Sequence, residues 1–269
     1  MGLYLTNNFS TDFYHTYFYN SLVFLSFMKR KLTTQIGSLP YESVKEAMEY
    51  SLRHDIPFLP ELPKKGEFMF DYIKTPGKLS CLSDFKKSVR GYETVKVQCV
   101  GPATLMKYGN YNENEVVERA NSHISEIMNG LDVKETILFL DEPALGVFEL
   151  TEDKKRFYRD IWQEIFKKFN VVGGIHNCGE RNLDYLLESD LKIVSFDASK
   201  YDITNQQGYK VYRTNGKRIA WGIESKRDIK DFREGDLITL PCSMAPPKYK
   251  IEDCDKELRK LESIAKTLL

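Results

Sequence analysis

The sequence predicts a single (β/α)8 TIM barrel, an α/β fold in which eight parallel strands alternate with helices. Eight short apolar runs recur along the chain, and most of them precede a stretch with helical spacing of apolar residues. Such alternation is typical of parallel sheets, and eight units in about 240 residues are typical of a closed barrel. No Gly-x-Gly-x-x-Gly turn follows an early strand, which disfavours the alternative of a doubly wound, dinucleotide-binding sheet.

The first 170 residues are predicted to hold four strands and three helices. Val116, Ala120 and Ile124 recur at helical spacing and make residues 112–129 the best supported helix. Thr151 is predicted to cap the next helix, because acidic residues follow it in the first turn. The predicted strands are residues 33–39, 56–59, 94–100 and 136–140, and the predicted helices are residues 41–54, 112–129 and 151–169.

The remaining residues repeat the alternation of strand and helix. The apolar run 171–176 is the fifth predicted strand and ends at His176. The stretch 64–87 is the least regular part of the chain and is predicted to be an active-site loop after the second strand. The other predicted strands are residues 192–196, 218–223 and 237–240, and the other predicted helices are residues 182–187, 228–232 and 251–268.

Composition limits the classes of protein to consider. Lys and Arg number 39 and Asp and Glu number 39, so a broad basic surface for nucleic acid is not expected. Five cysteines without regular spacing are typical of a reduced, cytoplasmic protein. The apolar stretch 22–28 is too short to span a bilayer, so no membrane partner is expected.

Residues 1–28 stand apart from the predicted barrel, which covers residues 29–269. This first segment is rich in Tyr, Phe and Asn and precedes the first regular pattern. No basic residue precedes its apolar stretch and no small-residue cleavage site is evident, which argues against a signal peptide. We interpret the segment as a disordered extension, or as a non-native one upstream of a start at Met28.

Polar residues end most of the predicted strands. In a (β/α)8 barrel the active site lies at the carboxyl ends of the strands, so these residues are expected to surround one mouth. Strands five, six and eight lie on one side of that mouth, which would bring widely separated residues within reach of one metal ion. The residues at strand ends are Ser38, Glu61, Asp141, His176, Cys178, Asp197, Glu224 and Cys242.

The triplet His176-Asn177-Cys178, together with Cys242, predicts a metal site. Side chains two apart on a strand point to the same side, so His176 and Cys178 would face one point. One imidazole and two thiolates suit Zn²⁺ better than a hard cation. Composition alone gives about 0.07 expected His-x-Cys pairs in this chain, counted from 4 His and 5 Cys. The alternative is a core histidine beside a buried free cysteine.

The ligand set also favours one type of reaction. A catalytic zinc usually has three protein ligands and one exchangeable position, and zinc keeps a bound thiol ionised at neutral pH. Two cysteine ligands add negative charge, which suits alkylation of a thiolate better than activation of water. The ligands therefore favour methyl or alkyl transfer to sulfur, and no His-x-Glu…Cys-x-x-Cys pattern of a deaminase is present.

Several motifs from residue 31 to the C-terminus resemble the C-terminal catalytic barrel of cobalamin-independent methionine synthase, and the chain resembles a short stand-alone relative of that family. The resemblance implies a zinc-dependent methyltransferase that acts on a thiol, most simply homocysteine to give methionine. The motifs are Thr33-Thr34-Gln35-Ile36-Gly37-Ser38, Gly101-Pro102-Ala103-Thr104-Leu105, Leu140-Asp141-Glu142-Pro143-Ala144-Leu145, His176-Asn177-Cys178 and the distant Cys242.

The resemblance also implies roles for particular residues. His176, Cys178 and Cys242 would bind zinc, and Asp197 falls where the family usually has a ligating Glu. Asp141 falls where the family binds the substrate amino group, and a carboxylate suits an ammonium. The remaining implied contacts are Ile36, Gly37 and Ser38 for the substrate carboxylate, Glu61 or Glu67 for a second ammonium contact, and Tyr108 near an aromatic that stacks on folate.

The sequence departs from the family around the seventh strand. The family has an Asp-x-His pair there, whereas this chain has Gly222-Ile223-Glu224, so the expected catalytic His is missing and Glu224 is the substitute acid. The amine of methyltetrahydrofolate is a poor leaving group that needs protonation. The methyl donor is therefore predicted to be either methyltetrahydrofolate or a corrinoid protein that needs less acid catalysis.

Three other functions remain open at the level of sequence. Methylcobamide:thiol methyltransferases, which take the methyl group from a corrinoid protein, have a similar fold and a His-x-Cys…Cys signature. A non-catalytic barrel that binds zinc or thiols would keep the site without turnover. A decarboxylase of the uroporphyrinogen type shares the architecture but does not need the His-x-Cys…Cys set.

Overall fold

The computed structural model describes residues 33–268, so the predicted extension 1–28 lies outside the described residues. Its centre is a curled six-stranded parallel sheet in which each strand pairs with the next one along the chain. This order is that of consecutive β-α units and agrees with the predicted alternation. The strands are β1 (Thr94–Val100), β2 (Glu135–Asp141), β3 (Val172–Asn177), β4 (Ile193–Asp197), β5 (Arg218–Gly222) and β6 (Leu237–Thr239).

Helices flank the sheet and connect its strands. Four 3-10 helices add short turns at Pro63–Lys65, Pro143–Gly146, Ile203–Asn205 and Lys226–Asp228. Among residues 33–268, no helix is both long and apolar enough to cross a membrane. The α-helices are α1 (Val44–Leu52), α2 (Met69–Tyr72), α3 (Leu82–Ser88), α4 (Pro102–Tyr108), α5 (Glu113–Met128), α6 (Glu152–Phe169), α7 (Leu183–Glu188), α8 (Tyr209–Thr214) and α9 (Ile251–Ala265).

The two longest helices of the first 170 residues begin at side-chain caps that the sequence encodes. Asn112 and Glu115 form a reciprocal capping box at the start of α5. The Thr151 hydroxyl accepts from the backbone N–H of Lys154 at the start of α6, as the sequence predicts. Helix α6 ends at Asn170, whose φ of 50° is a left-handed conformation that asparagine tolerates.

The two N-terminal strand predictions are met only by isolated parallel bridges. Thr33 bridges Ile238 of β6, Ser38 bridges Glu61, and Phe58 bridges Lys96 of β1. The segments 33–39 and 56–61 therefore contact both edges of the six-stranded sheet. Proline has no N–H to donate to a ladder, and the prolines of the second segment keep its pairing short.

Two hydrophobic clusters divide the interior, and residues alternate between them along strands such as β2. In β2, Ile137 and Phe139 belong to a small cluster on the concave face, whereas Leu138 and Leu140 join the large cluster against the helices. Burial on both faces explains why these strands read as continuous apolar runs. The concave cluster comprises Ile36, Ile56, Ile137, Phe139, Ile193, Ala220 and Leu237.

Three local predictions differ from the structure. The stretch 64–87 is not wholly irregular, because it contains α2 and α3. The predicted helix 228–232 is replaced by the 3-10 helix Lys226–Asp228, which Ser225 and Asp228 cap. Helices α4 and α8 were not predicted, because each spans only one or two turns and leaves little periodicity to detect.

Candidate metal centre

The structure brings His176, Cys178 and Cys242 together, and a ligand atom of each lies within 4.8 Å of the other two. His176 is in β3, Cys178 follows the end of that strand, and Cys242 follows β6. Strand alternation places the first two side chains on one side, as the sequence predicts. The closeness of the third ligand comes from the curled sheet, which brings positions 64 residues apart into one group.

The His176 imidazole is already oriented for a metal ion. Its Nδ1 lies 3.0 Å from the hydroxyl of Ser195 on the neighbouring strand β4. Its Nε2 is buried and has no hydrogen-bond partner. Buried polar atoms are normally paired, and a metal-binding histidine typically has its other nitrogen held by a hydrogen bond. The donor set therefore fits a metal ion at Nε2.

The hydrogen bonds of Asn177 and the close approach of Gly179 to Gly146 hold the loop that carries Cys178. The Asn177 side chain accepts a hydrogen bond from Gly179 N–H at 3.0 Å and donates to the carbonyl of Arg181 at 2.9 Å. A β-carbon on Gly179 would lie 2.3 Å from Cα of Gly146, in the 3-10 helix after β2. Glycine is therefore required for the loops after β2 and β3 to touch.

Gln35, which the sequence did not single out as a site residue, positions the segment of Cys242. It is fully buried, and its amide donates to the Cys242 carbonyl at 3.5 Å. Its carbonyl accepts from the N–H of Leu240 at 3.3 Å. Gln35 and Cys242 are 207 positions apart in the chain, so only the folded structure shows their contact.

The two cysteines of the group lie close together, and their proximity separates their acidities. The Cys178 thiol lowers the pKa of Cys242, and His176 lowers it further, whereas Cys242 raises the pKa of Cys178. Both are partly exposed, whereas the other cysteines of the described residues, Cys81, Cys99 and Cys254, are fully buried. Access and a lowered pKa, which both favour a thiolate, therefore coincide at Cys242.

Asp197, the fourth predicted ligand, is not part of the group. Its carboxylate accepts hydrogen bonds from the N–H and hydroxyl of Ser199, at 3.1 Å and 2.5 Å, and from Lys200 Nζ at 2.7 Å. These local contacts engage both of its oxygens. A metal-binding role for Asp197 stays a prediction.

Asp141 and Glu61 are buried carboxyl groups, and each has an oxygen without a hydrogen-bond partner. Asp141 pairs in register with His176 across the β2–β3 ladder. Burial raises the pKa of Asp141, opposed by His176 and Lys96. Burial, followed by the charge of Asp141, raises the pKa of Glu61 to about 8. Their unpartnered oxygens, Asp141 Oδ1 and Glu61 Oε1, are suited to bind a cationic group.

Glu67 has a structural role. The sequence alone did not show which of Glu61 and Glu67 is available for the predicted ammonium contact. Its two oxygens accept from the backbone N–H groups of Leu62 at 3.0 Å and Ser80 at 2.7 Å, which ties the loop after the second segment together. Of the two glutamates considered for the ammonium contact, the geometry therefore favours Glu61.

The residues predicted to hold a substrate carboxylate are partly engaged within the protein. Gly37 N–H donates to Gln98 Oε1 at 2.7 Å, and the Ser38 hydroxyl donates to Glu61 at 2.9 Å. The Ile36 side chain packs in the concave hydrophobic cluster. Their predicted contact with substrate stays a prediction.

Among the described residues, no hydrogen bond, ion pair or ring contact ties Tyr108 or Glu224 to the three clustered residues, and Glu224 is not a member of that cluster. Tyr108 is half exposed at the end of α4, and its ring is 6.5 Å from that of Phe70, which is 6.3 Å from Phe68. Glu224 is exposed, and its backbone N–H donates to Asp228 at 2.8 Å. The catalytic role of Glu224 stays a prediction.

Glu142, beside Asp141 in the chain, holds the fold rather than the site. Its carboxylate accepts hydrogen bonds from the N–H groups of Ala103 and Thr104, the Thr104 hydroxyl and the Trp162 indole at 2.8–3.2 Å. These bonds fix the start of α4 against β2 and α6.

Among the described residues, the site side chains that the sequence analysis did not predict are Gln35, Lys96 and Gln98. The signal for two of them was available, because Lys96 and Gln98 are polar residues at alternate positions of a buried strand.

No protein-family model matches the chain, and no curated protein matches it. The fold and the site define a mixed α/β protein with a candidate His/Cys/Cys metal centre at the carboxyl ends of its parallel strands.

Proposed function

We propose that the protein is a zinc-dependent methyltransferase that moves a methyl group to a small thiol. The observation that supports it most directly is the buried, unpartnered Nε2 of His176 beside two thiols. Three protein ligands of this kind leave the fourth tetrahedral position of zinc open, as in catalytic sites. Zinc would supply the Lewis acidity that keeps an acceptor thiol ionised at neutral pH.

We also propose that the sheet closes into the (β/α)8 barrel that the sequence predicts. The segments 33–39 and 56–61 supply the two missing strands, since their bridges link β6 to β1. Both segments contribute a residue to the concave cluster, Ile36 and Ile56, as expected for a barrel interior.

The pair of carboxyl groups supports an amino-acid thiol as the acceptor. The free oxygens of Asp141 and Glu61 suit the ammonium group of homocysteine, whose thiol would reach the zinc site. This assignment gives each of the two buried orphan oxygens a charged partner.

The methyl donor is methyltetrahydrofolate or a corrinoid protein. The aromatic cluster of Phe68, Phe70 and Tyr108 supports a donor with a flat ring such as a folate. The exposure of Glu224, the substitute acid, favours a corrinoid donor, which needs less protonation of the leaving group.

Zinc content per chain tests the proposal first. We expect near-stoichiometric zinc in the wild type, a large loss in Cys242→Ala, and wild-type content in the matched control Cys254→Ala, whose cysteine lies outside the group. A wild type that neither contains zinc nor takes it up on reconstitution overturns the proposal.

Turnover is then measured with the zinc-loaded protein, homocysteine and either methyltetrahydrofolate or methylcobalamin. Methionine formed with either donor, and lost in Cys242→Ala, supports the methyltransferase. Full zinc without methionine from either donor leaves the non-catalytic zinc-binding barrel as the function.

A further inference from the structure

Lys96 and Gln98 are buried polar residues of β1 to which the function proposed above gives no role. They are two positions apart, so their side chains lie on the same face of the strand. The Lys96 ammonium donates to Oε1 of Gln98 at 2.7 Å, and the N–H of Gly37 donates to the same oxygen at 2.7 Å. Neither of these two groups can accept a hydrogen bond, so they hold the Gln98 amide in one orientation.

Glycine at position 37 allows the segment 33–39 to come this close to Gln98. A β-carbon on Gly37 would lie 2.6 Å from the carbon and the nitrogen of the Gln98 amide. That amide has little freedom to move aside, because it is buried and Lys96 holds its oxygen. The position of the segment relative to β1 is therefore set by Lys96, Gln98 and Gly37 together.

The residues on either side of this glycine hold the part of the chain that carries Cys242. The Gln35 amide donates to the Cys242 carbonyl at 3.5 Å and accepts from the N–H of Leu240 at 3.3 Å. The Ser38 carbonyl accepts from the N–H of Met244 at 3.0 Å. The two hydrogen-bonded amides, those of Leu240 and Met244, lie two residues before and two residues after Cys242.

These contacts connect the two edges of the six-stranded sheet. Lys96 and Gln98 belong to the edge strand β1, whereas Cys242 follows the other edge strand, β6. Among residues 33–268 no ladder pairs β1 with β6, so residues 35–38 link them through their hydrogen bonds. A buried backbone group that loses its partner is costly, and a chain of such bonds therefore transmits position.

We infer that Gln98, held by Lys96, is a positioning residue that fixes the metal ligand Cys242 from the opposite edge strand of the sheet, through residues 35–38. Neither Gln98 nor Lys96 belongs to the metal-binding group itself. The consequence for metal binding rests on the proposed function, whereas the link from Gln98 to the chain around Cys242 does not. Without the Gln98 oxygen, the N–H of Gly37 loses its acceptor and the segment that holds Cys242 is free to shift.

Hydrogen exchange of single amides, followed by NMR in metal-free protein, tests the link directly. Gln98→Leu should speed exchange at Leu240 and Met244 by about tenfold or more, because residues 35–38 carry the acceptors of both amides. Lys96→Met frees the Gln98 amide to turn and should speed the same two amides. The N–H of Ala198, which donates to the Gly222 carbonyl at 2.8 Å, is the internal reference for general loosening of the sheet.

Tyr72→Phe is the matched control for Gln98→Leu. The Tyr72 hydroxyl accepts from the N–H of Val100 at 2.8 Å, so the variant removes another buried hydrogen bond of β1, two residues beyond Gln98. Because Tyr72 makes no hydrogen bond with residues 35–38, this variant should leave exchange at Leu240 and Met244 at the wild-type rate.

Gln98→Glu is the rescue variant, since a carboxylate oxygen still accepts from Lys96 and from Gly37. It should restore slow exchange at both amides, which a role in packing alone does not require. If Gln98→Leu does not fold, Gly37→Ala decides in its place, because its β-carbon displaces the segment without removing a polar group. Wild-type exchange at Leu240 and Met244 in the folded variant overturns the inference.

Metal binding then tests the consequence for Cys242. Gln98→Leu should bind zinc at least about tenfold more weakly than the wild type, and Co²⁺ bound in place of zinc should show a weaker thiolate-to-metal absorption band. Tyr72→Phe and Gln98→Glu should match the wild type in both measurements. Faster exchange with unchanged zinc affinity overturns the role in the metal centre. A wild type that binds neither ion overturns the proposed function, while hydrogen exchange still decides whether Gln98 positions the chain around Cys242.

Discussion

The hydroxyl of Ser195 lies 3.0 Å from Nδ1 of His176, and the two residues face each other across the β3–β4 ladder. Both are buried, so no solvent competes for the contact. The hydroxyl holds the imidazole in the orientation that directs Nε2 at the two cysteines. A hydrogen bond of this kind is the usual second contact of a metal-binding histidine.

Ser195→Ala should therefore weaken zinc binding without removing a ligand. Loss of an outer contact to a ligating histidine typically costs about 10- to 100-fold in metal affinity. Competition with a chromophoric chelator measures the change. Ser189→Ala is the matched control, because Ser189 is equally buried but bonds to the carbonyl of Tyr185. Equal zinc affinity of Ser195→Ala and Ser189→Ala would show that the hydroxyl does not orient a ligand.

Asp236→Asn should destabilise the fold while leaving the metal centre intact. Asp236 forms a fully buried, bidentate ion pair with Arg213 at 2.6 Å and 2.7 Å, and it also accepts from Ile219 N–H and the Trp221 indole. Removing one partner of a buried pair leaves the other charge uncompensated, which costs about 3–5 kcal/mol. Urea denaturation measures the free energy of unfolding.

The control for Asp236 is Asp71→Asn, which breaks a solvent-exposed pair with Lys74 and should cost less than about 1 kcal/mol. Zinc affinity of the folded Asp236→Asn protein should equal that of the wild type. Similar unfolding free energies for the two variants would contradict a stabilising role for the buried pair.

The features of the fold that could be predicted from the sequence are those that follow from local, repeating backbone geometry. The alternation of side chains along β3 places His176 and Cys178 on one side, and the triplet shows this without any tertiary information. The apolar runs of β1 to β6 were predicted because both of their faces are buried. The first two segments pair too briefly to count as regular strands.

Some features of the site could not be predicted from the sequence. They depend on contacts between residues far apart in the chain, or on hydrogen bonds from nearby residues that already engage a candidate ligand. Gln35 reaches the carbonyl of Cys242 only after the sheet has curled. Asp197 ends a strand as a ligand would, yet Ser199 and Lys200, two and three residues later, engage its carboxylate. Residue type and position alone did not distinguish a carboxylate that is already bonded from one with a free oxygen.

The pH dependence of stability should reveal the buried Glu61. Its pKa is raised from 4.5 to about 8 in the folded protein, chiefly by burial, so the folded state binds this proton more tightly than the unfolded state. The corresponding stability is fully present below pH 4.5 and is lost as the pH rises to about 8. A tenfold difference in proton affinity between the folded and unfolded states corresponds to roughly 1.4 kcal/mol.

Glu61→Gln removes this titration while keeping an oxygen that accepts from Ser38. The free energy of unfolding of the wild type should therefore fall relative to that of Glu61→Gln between about pH 5 and pH 8, when urea titrations are compared. Glu49 is exposed, so the free energy of unfolding of Glu49→Gln should change with pH in parallel with that of the wild type over the same range. Parallel curves for Glu61→Gln would contradict a raised pKa at this position.

Gly179→Ala should damage the metal centre through backbone position alone. The new β-carbon would lie 2.3 Å from Cα of Gly146, a contact with backbone that no side-chain rotation relieves. The loop after β3 must then move, and Cys178 is the residue next to the substitution. Because thiolate ligands tolerate only a few tenths of an ångström of displacement, zinc affinity should fall at least about tenfold.

Gly91→Ala is the matched control for this prediction. Gly91 has a φ of 77°, and no atom beyond its two chain neighbours lies within 4 Å of the position that a β-carbon would take, so the substitution strains the backbone without a clash with the rest of the protein. It should cost about 1 kcal/mol of unfolding free energy and leave zinc affinity unchanged. If Gly179→Ala instead keeps wild-type zinc affinity, the Gly146–Gly179 contact does not determine where Cys178 lies, and the two loops are free to separate without loss of the metal centre.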